Sequence, residues 1–289
     1  MALNGVILVN KERNISSNKL VNKVKYILHA DKAGHLGTLD VLGEGLLPIT
    51  LGKGTRLFDY YLNKDKVYKT VFKFGETTDT LDLEGEITKQ NDVIVTMQQL
   101  VKVAEKMQGK QSQMPPLYSA KKVNGQKAYD LARAGQTIEL KPKEIEIYSI
   151  KVLQEIAENT FELEVHCSSG TYIRSLCRDL AENMSTYGVM LSIQRTKCGD
   201  FYLKDAYSLE DVTNGKYSII KLETLFDYAC IKLDEKQEAK LLNGVELPVQ
   251  SLSLPSNLKD DKVKVFGKDD FLGVGHIEKD RLKLSLRLI

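Results

Sequence analysis

The sequence predicts an α+β fold with a small separate β-domain at its C-terminal end. Segments with the two-residue alternation of strands and segments with helical spacing follow one another without a regular strand–helix–strand repeat, which argues against a doubly wound parallel sheet. From about residue 231 the sequence becomes turn-rich, and it closes on RLKLSLRLI, in which leucines alternate with polar residues. A length of 289 residues fits one large and one small domain, which we place at residues 1–230 and 231–289.

The chain opens with a strand and a helix. GVILV at 5–9 predicts a short buried strand, and Ser16 and Ser17 form a typical helix N-cap. Behind the cap, apolar residues recur at helical spacing, and these are Leu20, Val21, Val24, Ile27 and Leu28.

A glycine-rich loop is predicted next. Six of the 20 glycines fall within residues 34–54, which is several times the average density. Glycine allows backbone conformations that other residues resist, and it lets a ligand approach the backbone closely. This loop is therefore a candidate functional segment.

The remainder of the large domain mixes strand and helix patterns. Alternating side chains predict strands, apolar residues three or four apart predict helices, and Pro115-Pro116 interrupts the pattern. The predicted features are a strand at 68–74, a helix at 100–107, a break at 111–116, a short helix at 128–132, a strand at 161–167 and a helix at 174–184.

Composition limits the class of protein. The formal net charge of +2 neither requires nor excludes nucleic-acid binding. The four cysteines form no CxxC pair and predict reduced thiols in the cytoplasm, and the four histidines show no metal-binding spacing. No run reaches the roughly 20 apolar residues of a membrane span, and the first residues do not resemble a signal peptide.

Asp40 and Arg174 are candidates for chemistry. Asp40 lies in GHLGTLDVLGEG, where an aspartate beside glycines is also typical of an ordinary turn. The apolar residues around it should draw it against a core, where an ionised carboxylate needs a cation nearby. Arg174, at a predicted strand-to-helix junction, could be that cation, although a surface arginine fits the same pattern.

Two further features suggest RNA. Tyr68 lies on the same predicted strand face as Phe72, and such a ring either fills a core or stacks on an extruded nucleobase. The segment MPPLYSAKKVNGQKAYDLARAG interleaves basic and aromatic residues, which fits a surface for RNA phosphates and a solvated loop about equally well.

Five ordered motifs together resemble the bacterial tRNA pseudouridine-55 synthase family over nearly the whole chain. AGHLGTLDVLGEGLLPI is similar to the family's catalytic loop, usually GHTGTLDPLATGVLPI, and HCSSGTYIRSL is similar to its HCSKGTYIR. The other three are GVILVNKERNISSNKLVNKVK, VYKTVFKFGETTDTLDLEG and MPPLYSAKKVNGQKAYDLARAG. The family's fold implies a mixed, mainly antiparallel sheet with flanking helices, an RNA-contacting insertion at about 111–143 and a small C-terminal domain of PUA type.

The resemblance implies roles for seven residues. Asp40 would be the catalytic carboxylate, Arg174 its partner, and Tyr68 the ring that stacks on the flipped base and a candidate for removing a proton from the sugar. The residues implied to bind or support the substrate are His35, Asp82, Tyr172 and Ile193. The enzyme would need no cofactor and no metal, and it would act as a cytoplasmic monomer on the T stem-loop of tRNA.

The reaction implied is an isomerisation of uridine to pseudouridine. Uracil leaves its ribose, rotates and rejoins through C5, and Asp40 attacks C6, attacks C1′ or assists departure of the base. A non-catalytic RNA chaperone or an RNA-binding subunit of a guide-dependent complex would share the binding motifs. The combination of Asp40, Tyr68 and Arg174 favours the enzyme.

Some positions differ from the usual family pattern. None of them is Asp40, Tyr68 or Arg174, but the change of a usual lysine to Ser169 removes a cation near the RNA. The differing residues are Glu12, Leu36, Val41, Gly43, Glu44 and Ser169.

Overall fold

The computed structural model describes residues 3–118, 122–123, 126–127, 140–254, 258 and 261–289. The predicted short helix at 128–132 lies outside the described residues, as do Lys121 and Arg133 of the basic segment.

A nine-stranded sheet dominates the first part of the chain. The strands of this part are β1 Gly5–Lys11, β2 Ala33–His35, β3 Glu44–Leu51, β4 Lys66–Phe74, β5 Glu76–Thr78, β6 Ile87–Gln90, β7 Gly109–Gln113, β8 Lys122–Val123, β9 Gln126–Lys127, β10 Lys143–Ala157, β11 Thr160–Cys167, β12 Gly188–Cys198 and β13 Phe201–Tyr202. The main strand order of the sheet is β1-β3-β12-β4-β11-β10-β7, with β2 added to β3 and β13 to β12. All these pairs are antiparallel except β12 with β3, so the prediction of an α+β fold with a mainly antiparallel sheet is confirmed.

Helices cover the sheet and close its ends. The first begins as predicted, because the side chain of Ser16 accepts a hydrogen bond from the Lys19 amide. The α-helices in the described ranges are α1 Ser17–Ile27, α2 Phe58–Leu62, α3 Met97–Lys106, α4 Ile173–Asn183, α5 Leu209–Thr213 and α6 Glu235–Leu242. Short 3-10 helices cover Gly52–Leu57, Leu203–Asp205, Leu222–Leu225 and Val249–Ser251.

A second, five-stranded sheet follows near the C-terminus. Its strands are β14 Ala229–Lys232, β15 Leu247–Pro248, β16 Lys262–Phe266, β17 Phe271–Glu278 and β18 Arg281–Arg287. They lie in the order β14-β16-β17-β18-β15. This sheet packs on the first part of the chain, because Val274 and Leu288 share a buried cluster with Leu8 and Leu57. Arg56 also donates to the main-chain carbonyl of Arg287 at 2.9 Å.

The largest core cluster lies between the nine-stranded sheet and helices α3 and α4. Phe72, Phe161 and Leu163 come from the central strands, and Leu100 and Leu180 come from the helices. All five side chains are buried, and their burial is the main force that holds the helices to the sheet. No helix in the described part of the chain is long and apolar enough to cross a membrane.

The prediction of a loop over residues 34–54 is wrong for its second half. Residues 44–51 form β3, which pairs with β1 from Gly45 to Leu51 and is buried over the same residues. A strand buried on both faces shows a continuous apolar run rather than alternation, so EGLLPITL lacks the pattern that predicts a strand. Only residues 36–43, between β2 and β3, remain a loop, and this loop contains Asp40.

Candidate active site

A cavity of about 550 Å³ opens where the 36–43 loop faces the start of α4. Five of the seven predicted site residues line it: Asp40, Tyr68, Tyr172, Arg174 and Ile193. They come from the loop, β4, the residue before α4, its first turn and β12. Segments that are far apart in the sequence thus converge on one pocket.

The loop holds Asp40 through its backbone. The amide of Gly43 donates to the carbonyl of Asp40 at 3.0 Å, which closes a tight turn. Just before it, the Ser17 hydroxyl donates to the carbonyl of Leu39 and accepts from its amide, both at 2.9 Å. These contacts fix the turn to the first residue of α1, so the carboxylate is presented by a rigid support.

Lys11, at the end of β1, holds the other side of the turn. Its ammonium donates to the carbonyls of Glu12, Val41 and Gly43, and its side chain is fully buried. Burial lowers the pKa of Lys11 to about 8, while the negative charge of Asp40 opposes the shift. A lysine with three carbonyl partners therefore lies beneath the loop.

Arg174 pairs with Asp40 as predicted. Its Nη2 lies 3.0 Å from Asp40 Oδ2, and its Nη1 lies 3.2 Å from Asp82 Oδ2. Arg174 also donates to the carbonyls of Thr80 and Tyr118, each at 3.1 Å. The Arg174 side chain is 8% exposed and that of Asp40 is 46% exposed, so a buried cation holds a carboxylate that solvent and ligands can reach. The reading of Arg174 as a surface residue is wrong.

Tyr68 forms part of the cavity wall and is 7% exposed. It pairs with Val165 of β11 and with Arg195 of β12. Burial raises the pKa of the Tyr68 hydroxyl, and the positive charge of Arg195 acts in the opposite direction. Ile193, on β12, adds an apolar contact surface to the same cavity.

The segment before α4 is fixed by an amide side chain. Gln113, at the end of β7, accepts from the Tyr172 amide at 2.9 Å and donates to the Tyr172 carbonyl at 3.2 Å. The Ser175 hydroxyl donates to the carbonyl of Met114 at 2.9 Å. The first turn of the helix, and Arg174 with it, is therefore tied to the beginning of the predicted RNA-contacting insertion.

His35 and Asp82 lie outside the described lining of this cavity. His35 lines a neighbouring depression with Asn18 and Asn22, and Phe58 borders both spaces. The Nδ1 of His35 is buried with no hydrogen-bond partner among the described residues. Burial and then the charge of Arg195 lower the pKa of His35, so its ring is neutral at pH 7.

Asp82 instead supports Arg174 from within the protein. Its side chain is 5% exposed, and its Oδ1 accepts from the Thr80 hydroxyl at 2.6 Å and from the Glu84 amide at 3.0 Å. The residue therefore completes a buried charge network. Its expected role in substrate binding stays a prediction.

Sequence reasoning missed the cations that surround the loop, Lys11, Lys66 and Arg195. Arg195 is fully buried, and it donates to the carbonyls of Leu46 at 2.8 Å, Gly37 at 3.0 Å and Thr38 at 3.4 Å. Lys66, which is 6% exposed, also lines the cavity. Basic residues in a strand usually indicate a solvated face, so only the position of Lys66 two residues before Tyr68 could have drawn attention to it. Within the described ranges, no group of three or more His, Cys, Asp or Glu residues could hold a metal ion.

Comparison with known proteins identifies similar chains. A sequence profile described as TruB family pseudouridylate synthase (N terminal domain) matches residues 25–173. A protein named tRNA pseudouridine synthase B from Francisella philomiragia subsp. philomiragia is 37% identical over 288 residues, covering 97% of this chain and 93% of that protein. A protein of the same name from Clostridium tetani is 37% identical over 291 residues, covering 99% of this chain and 100% of that protein.

Solved structures share the fold. A Cbf5-Nop10-Gar1 complex contains a chain that superposes with a TM-score of 0.70 at 22% identity, covering 99% of this chain and 85% of that one. An H/ACA RNP bound to a substrate RNA containing 2′-deoxyuridine gives a TM-score of 0.70 at 20% identity, with the same coverage of 99% and 85%.

Proposed function

Because the chain belongs to the TruB family of pseudouridylate synthases, we propose that it converts uridine 55 in the T arm of tRNA to pseudouridine. Relatives that match it over almost their full length are named tRNA pseudouridine synthase B. The observation that carries the proposal is the Asp40–Arg174 pair at 3.0 Å in the wall of a cavity that also contains Tyr68.

Asp40 is the proposed reactive carboxylate. Uracil is detached from its ribose, rotated and rejoined through C5, and each of the three routes needs an ionised carboxylate beside the sugar–base junction. Arg174 pairs with the carboxylate and orients it, while the exposed part of Asp40 stays open to the substrate. The contacts of Ser17 and Lys11 hold the turn, which reduces the reorganisation needed when the nucleotide enters.

Tyr68 is proposed to stack on the uracil and to move a proton at the sugar. Burial keeps its hydroxyl protonated at rest, although the nearby charge of Arg195 acts in the opposite direction. Tyr68 can therefore take the C2′ proton only as its own proton passes to the departing uracil, which leaves the ribose as an anion. Ile193 offers an apolar surface to the base from β12, and Tyr172 bounds the cavity near the start of α4.

The nucleotide must leave the RNA stack to reach Asp40, because its reacting atoms are inaccessible within a stacked arm. His35 is proposed to contact the RNA beside the vacated position. Its ring is neutral and half-buried, and it lines this depression of the surface. The depression that it lines adjoins the cavity at Phe58, so both spaces can serve one RNA strand.

Two segments are proposed as additional RNA contacts. Near the start of the insertion at about 111–143, Gln113 and Met114 are tied to the start of α4. Residues 231–289 are proposed as a PUA-like domain on the basis of the five-stranded sheet. We further propose that the enzyme works as a monomer in the cytoplasm. Its four free cysteines suit that reducing compartment.

The test is the position and rate of isomerisation on defined tRNA. The protein alone, without guide RNA, is incubated with a transcript carrying tritium at uracil C5, and released tritium is counted. We expect release from a transcript with the T-arm uridine and no release when cytidine replaces that uridine. Release that continues after this replacement, or that requires an added guide RNA, would contradict the proposal.

A further inference from the structure

The cavity carries more positive than negative charge, and one of its cations has no assigned task. Its described lining includes one carboxylate, Asp40, and four cations, Lys66, Lys143, Arg174 and Arg195. Arg174 is engaged by two carboxylates, and Lys66 and Arg195 are buried and donate to main-chain carbonyls. An excess of positive charge at a cavity mouth suits an anionic ligand.

Lys143 is the exposed member of this group. It is the first residue of β10, where it pairs with Gln113 of β7. Its ammonium donates to the carbonyl of Ser169 at 3.4 Å, and no carboxylate in the described parts of the chain forms an ion pair with it. A long weak bond to one carbonyl leaves donors of the ammonium free for a ligand.

Gly170 leaves the space that the Lys143 ammonium occupies. Gly170 has a φ of +81°, and a Cβ at this position would collide with Lys143 Nζ. The ammonium therefore occupies the space above the 169–170 backbone, directly before Thr171 and Tyr172 in the cavity wall. Ser169 itself lines the cavity, at the position where the family resembled by this sequence usually has lysine.

We propose that Lys143 binds a backbone phosphate of the RNA strand that enters the cavity, and that it replaces the cation absent at Ser169. The inference rests on the proposed function, since it assigns a contact to the same RNA. Lys143 on β10 places its ammonium beside Ser169, so a positive charge is present at the cavity mouth although it comes from a strand and not from the loop after β11. Lys143 is a binding residue and takes no part in bond making or breaking.

The experiment measures tRNA affinity as a function of salt. Each phosphate contact contributes roughly 0.7 to 0.9 to the slope of log affinity against log salt concentration. We expect Lys143→Ala to flatten this slope by about that amount and to weaken binding roughly 3- to 10-fold at moderate salt. The single-turnover rate is measured at saturating enzyme, so that a loss of tRNA affinity is separated from a loss of turnover.

A second substitution and a control sharpen the result. Ser169→Lys in the Lys143→Ala background should restore both affinity and slope, because it returns a cation to the same place from the loop after β11. Lys151→Ala serves as the matched control, since Lys151 also lies on β10 but pairs with Glu164 at 3.1 Å and does not line the cavity in the described structure. It should leave the slope unchanged.

The outcomes separate this inference from the proposed function. An unchanged slope for Lys143→Ala, a loss confined to turnover or thermal stability, or no recovery with Ser169→Lys would overturn the assignment of Lys143. Failure of the unmodified protein to bind tRNA at all would instead contradict the proposed function. Binding is read without turnover, so the two failures are distinguishable.

Discussion

Removing the charge of Asp82 tests whether this residue supports the active site or contacts the RNA. Asp82→Asn keeps the shape of the side chain but turns its ion pair with Arg174 into a neutral contact. The pair spans 3.2 Å between side chains that are 5% and 8% exposed. Coulomb's law at this distance gives about 5 kcal/mol for an effective dielectric constant of about 20.

The measured loss should be somewhat smaller than the full Coulomb energy. Arg174 keeps Asp40 and two carbonyls as partners, and the amide introduced by the substitution retains an oxygen that can accept from Thr80 and Glu84. Breaking one side of a buried pair costs about 3–5 kcal/mol, which corresponds to a fall in Tm of roughly 5–8 °C for a chain of this size. We also expect the single-turnover rate to fall about 10- to 100-fold as Arg174 shifts.

Thermal unfolding, single-turnover tritium release and filter binding of tRNA are measured together. Asp79→Asn is the control, because Asp79 lies in the same segment, is exposed, and accepts from the Glu86 amide. It should change the free energy of unfolding by no more than about 0.5 kcal/mol. A normal Tm for Asp82→Asn combined with weak tRNA binding would refute the support role and make Asp82 an RNA contact.

Three further predictions concern the cavity. Tyr68→Phe should lower the single-turnover rate roughly 10²- to 10⁴-fold with unchanged tRNA affinity, whereas Tyr68→Leu should also weaken binding. A normal single-turnover rate for Tyr68→Phe would limit the role of Tyr68 to stacking. Arg195→Lys should slow turnover by about 10-fold or more without weakening tRNA binding, since it keeps the charge but loses the planar guanidinium that holds three carbonyls. The control is Arg56→Lys, which alters an arginine that donates to the carbonyls of Arg287 and Ile289. Because the pKa of Lys11 is lowered to about 8, its side chain loses a proton as the pH rises through 8, and the neutral amine has two donors for three carbonyls. The single-turnover rate should therefore fall above pH 8. The pH–rate profile of Lys11→Met should lack that decline.

Local patterns predicted those parts of the fold that face a core on one side. The alternation at 68–74 and 161–167 corresponds to β4 and β11, and helical spacing found α1, α3 and α4. β3 escaped because it is buried on both faces and shows a continuous apolar run, and β12 escaped because its buried and half-buried residues do not alternate regularly. The edge strand β7, GKQSQ, escaped because it has no apolar side chain.

The candidate site was predictable to the extent that it depends on motifs. Asp40, Tyr68, Tyr172, Arg174 and Ile193 were found by resemblance, and the structure brings them into one cavity. Supporting contacts depend on tertiary structure and have no local signal. Lys143 meets Ser169, and Arg195 meets Gly37, across 26 and 158 positions of the sequence.

Asp40→Asn shows whether the Asp40 carboxylate carries out the isomerisation. The substitution keeps the size of the side chain and removes its charge and its nucleophilic oxygen. Tritium release from C5-labelled tRNA is measured under single-turnover conditions, with filter binding as a check that the RNA still enters the site. We predict no tritium release above the enzyme-free blank together with normal tRNA affinity. Substantial release by Asp40→Asn would contradict the assignment of Asp40 as the reactive carboxylate.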